Sequence, residues 1–179
     1  ITSGYSGIPE AANKGAFEHG GDSIGLSMRE THKNGKPNVY LSRSLSFTFP
    51  FTRKLVLTAP SKGFVMFPGG LGTLHQTMEV IELLQTHKIP SMPVVLFGSA
   101  FWNPFVSFIR EVLDKQLNVI HSEDAHLFTI VDDPEEAMRR RAVVAPKRAG
   151  DDDFAGGLEH DLVGVAAVEP DAHREGRIA

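Results

Sequence analysis

Apolar and polar positions along this chain switch repeatedly between two periods. Phe64-Val65-Met66-Phe67 is a short continuous apolar run and reads as a buried strand. Pro68-Gly69-Gly70-Leu71-Gly72-Thr73 follows as a turn, and Leu74, Met78, Ile81 and Leu84 then recur at helical spacing through residue 88. The same alternation runs on both sides of this unit. Residues 1–7 read as a strand end turning into a helix whose small apolar face is Ile8, Ala11, Ala12 and Ala16, stopped by Gly20-Gly21. Ile24, Leu26 and Met28 alternate, which predicts a strand over 22–28. Residues 29–43 are polar, with Asn34-Gly35 and Pro37-Asn38 as turn signals, and read as a long surface loop. Pro50 opens a helix through residue 59 that carries Arg53-Lys54. A strand over 93–97 precedes a helix over 101–116 striped by Phe101, Phe105, Phe108, Ile109 and Val112. A strand over 127–131 precedes a helix from Pro134, capped by Asp133 with Glu135 and Glu136 in its first turn.

Strands alternating with helices predict a parallel sheet covered on both faces. The right-handed crossover rule makes it an α/β, doubly wound, Rossmann-like three-layer sandwich. The chain begins at Ile1 without Met, directly beside turn chemistry, so the expectation is that the first strand and helix of the fold precede it. Residues 1–144 form the expected nucleotide-binding domain. After Arg139-Arg140-Arg141 the character changes, with Pro146-Lys147-Arg148, an acidic Asp151-Asp152-Asp153 cluster and no sustained periodicity. Residues 145–179 are therefore expected to be a disordered or accessory tail, and the basic run a solvated helix end.

Composition narrows the class. A hydrophobic fraction of 41% and a charged fraction of 22% are ordinary for a globular protein. The net charge of −4 gives no global attraction to nucleic acid or an anionic membrane. No cysteine is present, which excludes disulfides and thiol catalysis and fits a cytoplasmic protein. No apolar run reaches the roughly 18 residues of a membrane span. The eight histidines form no H-E-x-x-H pair, so no metal is expected. There is no G-x-x-x-x-G-K-[ST], Gly70-x-Gly72 lacks the third glycine of a dinucleotide fingerprint, and Gly4-Tyr5-Ser6-Gly7 is not a serine-nucleophile elbow.

What remains is a strand, a glycine turn and a helix start. Glycines let backbone N–H groups approach an anion closely, and the helix N-terminus supplies partial positive charge. Read alone, the turn is equally compatible with a tight connection that holds no ligand. The sequence Pro68-Gly69-Gly70-Leu71-Gly72-Thr73-Leu74-His75-Gln76, with Arg53-Lys54 15 residues before Pro68, is more specific. It resembles the LONELY GUY-type nucleotide phosphoribohydrolases, also described as lysine decarboxylase-like or Rossmann-fold nucleotide-binding proteins, whose hallmark is P-G-G-x-G-T-x-x-E after an R-K pair. The stretch from Gly7 to Ala16, Ser23-Ile24-Gly25-Leu26, Pro37-Asn38 and the run from Leu84 to Ile89 agree with it, and the resemblance covers about residues 1–142.

The resemblance implies hydrolysis of the N-glycosidic bond of a nucleoside 5′-monophosphate, cytokinin riboside monophosphate or an ordinary nucleotide, to base and ribose 5-phosphate. It implies no cofactor and suggests a homodimer, with the helix over 74–88 near the subunit contact. The phosphate is expected on the N–H groups of Gly69, Gly70, Gly72 and Thr73. Arg53 offers a bidentate contact and a catalytic charge, and Lys54 a point charge. A carboxylate is expected to stabilise the oxocarbenium-like transition state.

At the carboxylate position of the hallmark this chain has Gln76. Glutamine keeps the shape and, through Thr73-x-x-Gln76, a capping box, but carries no charge. Loss of one such group costs on the order of 2.7–4 kcal/mol, a roughly 100- to 1000-fold slower turnover. Glu79, one turn on, is the candidate replacement, and His75 is placed to protonate a departing base. Ser3 and Tyr5 stand where glycines are usual, and Tyr5 is positioned to crowd a nucleotide. The alternative is a non-catalytic nucleotide-binding or regulatory protein on the same fold. A pyridoxal-phosphate decarboxylase is disfavoured because no lysine stands in a recognisable context for it.

Overall fold

The buried apolar runs become parallel strands, and the periodic segments between them become covering helices. The computed structural model describes residues 1–29, 36–142 and 163–166. Helix α1 (Ile8–Glu18) is followed by β1 (Ile24–Met28), β2 (Arg43–Phe47), α2 (Pro50–Thr58), β3 (Gly63–Met66) and α3 (Leu71–Gln85). Then come β4 (Val94–Phe97), α4 (Ser99–Ser107), β5 (Thr129–Val131), α5 (Pro134–Ala142) and β6 (Val163–Ala166). α4 contains Pro104 and passes at Phe108 into a π-helix that ends at Gln116.

Every strand pair is parallel. β1 pairs with β2 from Ile24↔Arg43 to Met28↔Phe47, and Thr2 bridges to Gly25 on the same side of the fold. The other strands run in the order β5-β4-β3-β6. Phe64↔Val94 and Val95↔Thr129 fix the register of the central pairs.

Alternation along these strands sorts side chains onto two faces. Phe64, Met66, Val94 and Leu96 join Leu26, Leu57, Val80, Ile81, Leu84, Trp102 and Val106 in the larger core. Val95 and Val131 meet Ala137 of α5 in the smaller one, with Val65 and Phe97 packed against them. Apolar cover on both faces is the Rossmann-like α/β arrangement expected from the alternating pattern.

Two elements differ from expectation. Residues 43–47 are a strand, the edge partner of β1, although all but the last are exposed. Residues 163–166, placed by composition in an accessory tail, form a strand of the sheet beside β3. The remainder of that tail lies outside the described residues. Arg139 of the basic run pairs with Asp133 at 3.6 Å and Glu135 at 3.8 Å, both on or beside its own helix, and the side chains of the rest of the run lie outside the described residues. No helix among the described residues is long and apolar enough to cross a membrane.

Candidate functional site

β3 runs into Phe67-Pro68-Gly69-Gly70, and α3 starts at Leu71, with Gly70 as its N-cap in extended backbone (φ −85°). Thr73 N–H and Leu74 N–H both donate to the Gly70 carbonyl, at 3.0 and 3.1 Å. The expected capping box does not form. The helix begins two residues before Thr73, so Thr73 is buried inside the first turn and cannot be its cap.

The neighbouring helix starts are treated differently. Ser99 N–H, at the start of α4, donates to Asp132 Oδ1 at 2.7 Å, and this bond holds the Asp132 carboxyl below its ordinary value of 3.8. At α5, the N–H groups of Glu135 and Glu136 donate to Asp133. Among the described residues no side chain caps α3. Its positive end is presented by Gly70, Leu71 and Gly72, all exposed, with Leu71 at 85%.

Gly70 and Gly72 are not required by the backbone. Neither Gly70 nor Gly72 has a positive φ, and a Cβ at either would meet no atom within 4 Å. Unoccupied space at glycines that the fold does not need is the arrangement that admits an anion to the backbone amides. The turn is held from behind by its neighbours. Gly98 (φ +100°) approaches Pro68 so closely that a Cβ there would lie 3.2 Å from Pro68 Cγ, and the rings of Phe67 and Phe97 sit 5.1 Å apart.

α2 brings the basic pair alongside α3. Lys54, whose side chain is only 12% exposed, places Nζ 3.8 Å from Glu79 Oε2 and in direct contact with His75 Nδ1. An ammonium can only donate, so in this contact Nδ1 is the ring nitrogen turned to Lys54. Helical side chains slant toward the N-terminus, so Glu79 lies over the turn that carries His75. One carboxylate oxygen of Glu79 is buried with no hydrogen bond, and the Lys54 charge is what offsets it. Arg53 is half-buried on the same turn of α2, one residue before Lys54.

Gln76 does not join this group. It is 6% exposed, and its Nε2 donates to Thr58 Oγ1 at 3.3 Å, tying α3 to the end of α2. Sequence reasoning missed Thr58. The available signal was its spacing four residues after Lys54, which puts both on one face of α2.

The first βα turn has a different character. Tyr5 is buried, and its hydroxyl accepts from Met28 N–H at 3.0 Å and donates to Met28 C=O at 3.2 Å, so it is directed into the fold rather than over a ligand. Asn38 Nδ2 donates to the carbonyls of Gly4 and Tyr5 and to Asn13 Oδ1. Asn13 also accepts from Thr2 Oγ1 at 2.7 Å and donates to Ser23 Oγ at 2.9 Å. Among the described residues there is no cluster of three or more potential metal ligands.

Residues 10–140 match the family described as "Possible lysine decarboxylase". Two rice proteins (Oryza sativa subsp. japonica) are similar to this chain. The first, named "Probable cytokinin riboside 5'-monophosphate phosphoribohydrolase LOGL2", is 26% identical over 148 residues, 72% of this chain and 59% of the relative. The second, named "Probable cytokinin riboside 5'-monophosphate phosphoribohydrolase LOGL6", is 28% identical over 96 residues, 53% of this chain and 37% of the relative. The chain thus spans between about a third and three fifths of the length of these relatives.

Proposed function

The chain belongs to the lysine decarboxylase-like family of LONELY GUY type, and from that premise we propose that it hydrolyses the N-glycosidic bond of nucleoside 5′-monophosphates to free base and ribose 5-phosphate. The observation that carries the reading is the uncapped start of α3, with open glycines at 70 and 72 and, in the same helix, His75 in contact with Lys54 of α2. The 5′-phosphate sits on the amides of Gly69, Gly70 and Gly72, since the Thr73 N–H expected among them already donates to the Gly70 carbonyl, and the Arg53 guanidinium completes its neutralisation.

Positive charge grows on the ribose as the bond to the base breaks, and a carboxylate must meet it. Glu79 supplies that carboxylate. Lys54 orients it, so Lys54 contributes less to the phosphate than its place in the hallmark implies. His75 donates a hydrogen bond to the departing base. Gln76 serves the α2–α3 contact instead of the chemistry.

Incubation with AMP, CMP and isopentenyladenosine monophosphate should release ribose 5-phosphate. Glu79→Gln should lower kcat roughly 100- to 1000-fold with little change in KM. Gln76→Glu should leave kcat within about tenfold, because its side chain is directed at Thr58. A large gain on Gln76→Glu, with Glu79→Gln silent, would overturn the assignment.

The bond from Gln76 to Thr58 also favours a second reading, a nucleotide-binding protein without turnover. Tight AMP binding with no ribose 5-phosphate released selects it.

We further propose a homodimer. Phe49 and Phe51 stack at 5.6 Å on the exposed side of α2, beside exposed Leu55, and α3 exposes Leu71 and Met78. Apolar exposure of this kind marks an association surface. Light scattering should give twice the chain mass, and Phe51→Asp with Leu55→Asp should give the monomer.

A further inference from the structure

β2 ends one side of the sheet. β1 has β2 on one flank and Thr2 on the other, and among the described residues no strand pairs with β2 on its far side. Two bonds fix which backbone groups face outward. Arg43 N–H donates to the Ser23 carbonyl at 3.2 Å, and Arg29 N–H donates to the Phe47 carbonyl at 2.8 Å. Backbone groups of successive strand residues point to opposite edges, so those of Arg43, Leu45 and Phe47 face β1. The N–H and C=O groups of Ser44 and Ser46 therefore face away from it, on a stretch whose residues from Arg43 to Ser46 are all exposed.

Edge strands are ordinarily blunted by proline, a bulge or several charges. β2 pairs with β1 through all five residues without interruption, contains no proline, and carries Arg43 as its one charge. An apolar rim runs along it. Leu45 is 50% exposed, exposed Phe49 continues the extended backbone (φ −109°, ψ 129°), and exposed Phe51 and Leu55 follow on α2.

We propose that β2 pairs with β2 of a second copy, antiparallel about a two-fold axis at Leu45, so that the sheet runs on from one subunit into the other. This rests on the homodimer reading and states how the two chains meet. A two-fold axis beside an edge strand produces an antiparallel, self-complementary pair. With the axis at Leu45, Ser44 of each copy lies opposite Ser46 of the other. These are the residues whose N–H and C=O groups face outward, so each such pair closes both of its hydrogen bonds. The two leucines form the close, non-hydrogen-bonded pair between them and cover each other. Arg43 lies opposite Phe47 of the second copy, so no like charges meet. An axis at Ser44 or Ser46 would leave the other serine without a partner inside the strand.

The chain has no cysteine, so a single introduced one reports on the contact. Leu45→Cys should give a disulfide-linked dimer on mild oxidation, because the opposed Cα atoms of such a pair lie about 4.5 Å apart, within disulfide reach. Arg43→Cys should not, because its two copies are offset along the strands by about 14 Å. Ser44→Pro removes an outward donor from each copy and spares the pairing with β1. It should raise the dimer dissociation constant about 100-fold. In the unaltered chain, amide exchange at Ser44 and Ser46 should slow by about tenfold or more as protein concentration rises through that constant.

A dimer in which Leu45→Cys links no faster than Arg43→Cys, or which Ser44→Pro leaves intact, overturns the edge pairing and leaves the homodimer reading standing. A chain that scatters as a monomer at every concentration overturns both. Slow exchange at Ser44 and Ser46 where scattering gives the single-chain mass means that another segment covers the edge, and overturns the pairing alone. If Ser44→Pro fails to fold, cross-linking and exchange decide.

Discussion

The turns that precede α1 and α3 share a plan, with glycines joining the end of a parallel segment to a helix, yet they use those glycines in opposite ways. In the first turn Gly4 and Gly7 sit at φ +79° and +76°, and a Cβ on Gly4 would lie 2.9 Å from the Gly25 backbone. Asn38, Asn13, Thr2 and Tyr5 then tie the turn to its surroundings. There the glycines serve the fold. In the second turn Gly70 and Gly72 have ordinary φ, their Cβ positions are open, and no side chain caps the helix. There the fold makes no demand on the glycines, and only the proposed phosphate cradle uses them. A glycine cluster in a sequence is thus two different objects, separated only by backbone angle and neighbouring space.

Crosswise substitution tests this contrast. Gly4→Ala should be the most damaging change, lowering the unfolding free energy by about 3–4 kcal/mol through left-handed strain plus collision with backbone. Chemical denaturation measures it, and a loss under about 1 kcal/mol would mean that the first turn is not locked. Gly72→Ala should do the reverse. Stability should hold or rise by up to about 1 kcal/mol, because alanine is the better helix former, while AMP and phosphate affinity fall about 100-fold by calorimetry. Equal binding by this variant would remove the ligand explanation for the glycine.

Asn38→Ala comes next, with about 1–2 kcal/mol lost along with its bonds to the Gly4 and Tyr5 carbonyls, and no effect on phosphate affinity. A parallel loss of affinity would join the two turns into one site. The smallest effect concerns the capped neighbour, α4. The folded Asp132 carboxyl is held below 3.8 by the Ser99 N–H, so its contribution to stability is complete above its unfolded value and disappears as pH falls through the folded one. Asp132→Asn should therefore flatten the decline in urea midpoint below about pH 4. An unchanged acid limb would detach Asp132 from that helix start.

The parallel core was legible in the sequence because strands buried on both faces read as apolar runs, as Phe64–Phe67 and Val94–Phe97 do. β2 was harder to see. Leu45, Phe47 and Phe49 alternate with Ser44, Ser46 and Thr48, but the sequence reading places no element between the loop over 29–43 and the helix from Pro50, and an edge strand in water has little burial to advertise it. β6 is four residues long with an internal glycine, and its order comes from the β3 edge rather than from its own propensity. At the site, the glycine turn and the basic pair could be read from spacing. The direction of Gln76 could not. Thr73-x-x-Gln76 has the spacing of a cap, and the choice of Thr58 instead belongs to the packing of α2 on α3. The polar lock on the first turn joins residues up to 34 positions apart, beyond the reach of any local pattern.

The position of β6 also bears on how the protein is made. Val163 follows its partner Gly63 by 100 residues, the widest separation among the described strand pairs. At a synthesis rate of about 5–20 residues per second, β3 leaves the ribosome roughly 5–20 s before the segment that covers its edge. During that interval this edge of β3 lacks the strand that pairs with it in the structure, so the order in which the sheet closes is set by the distance between two short strands.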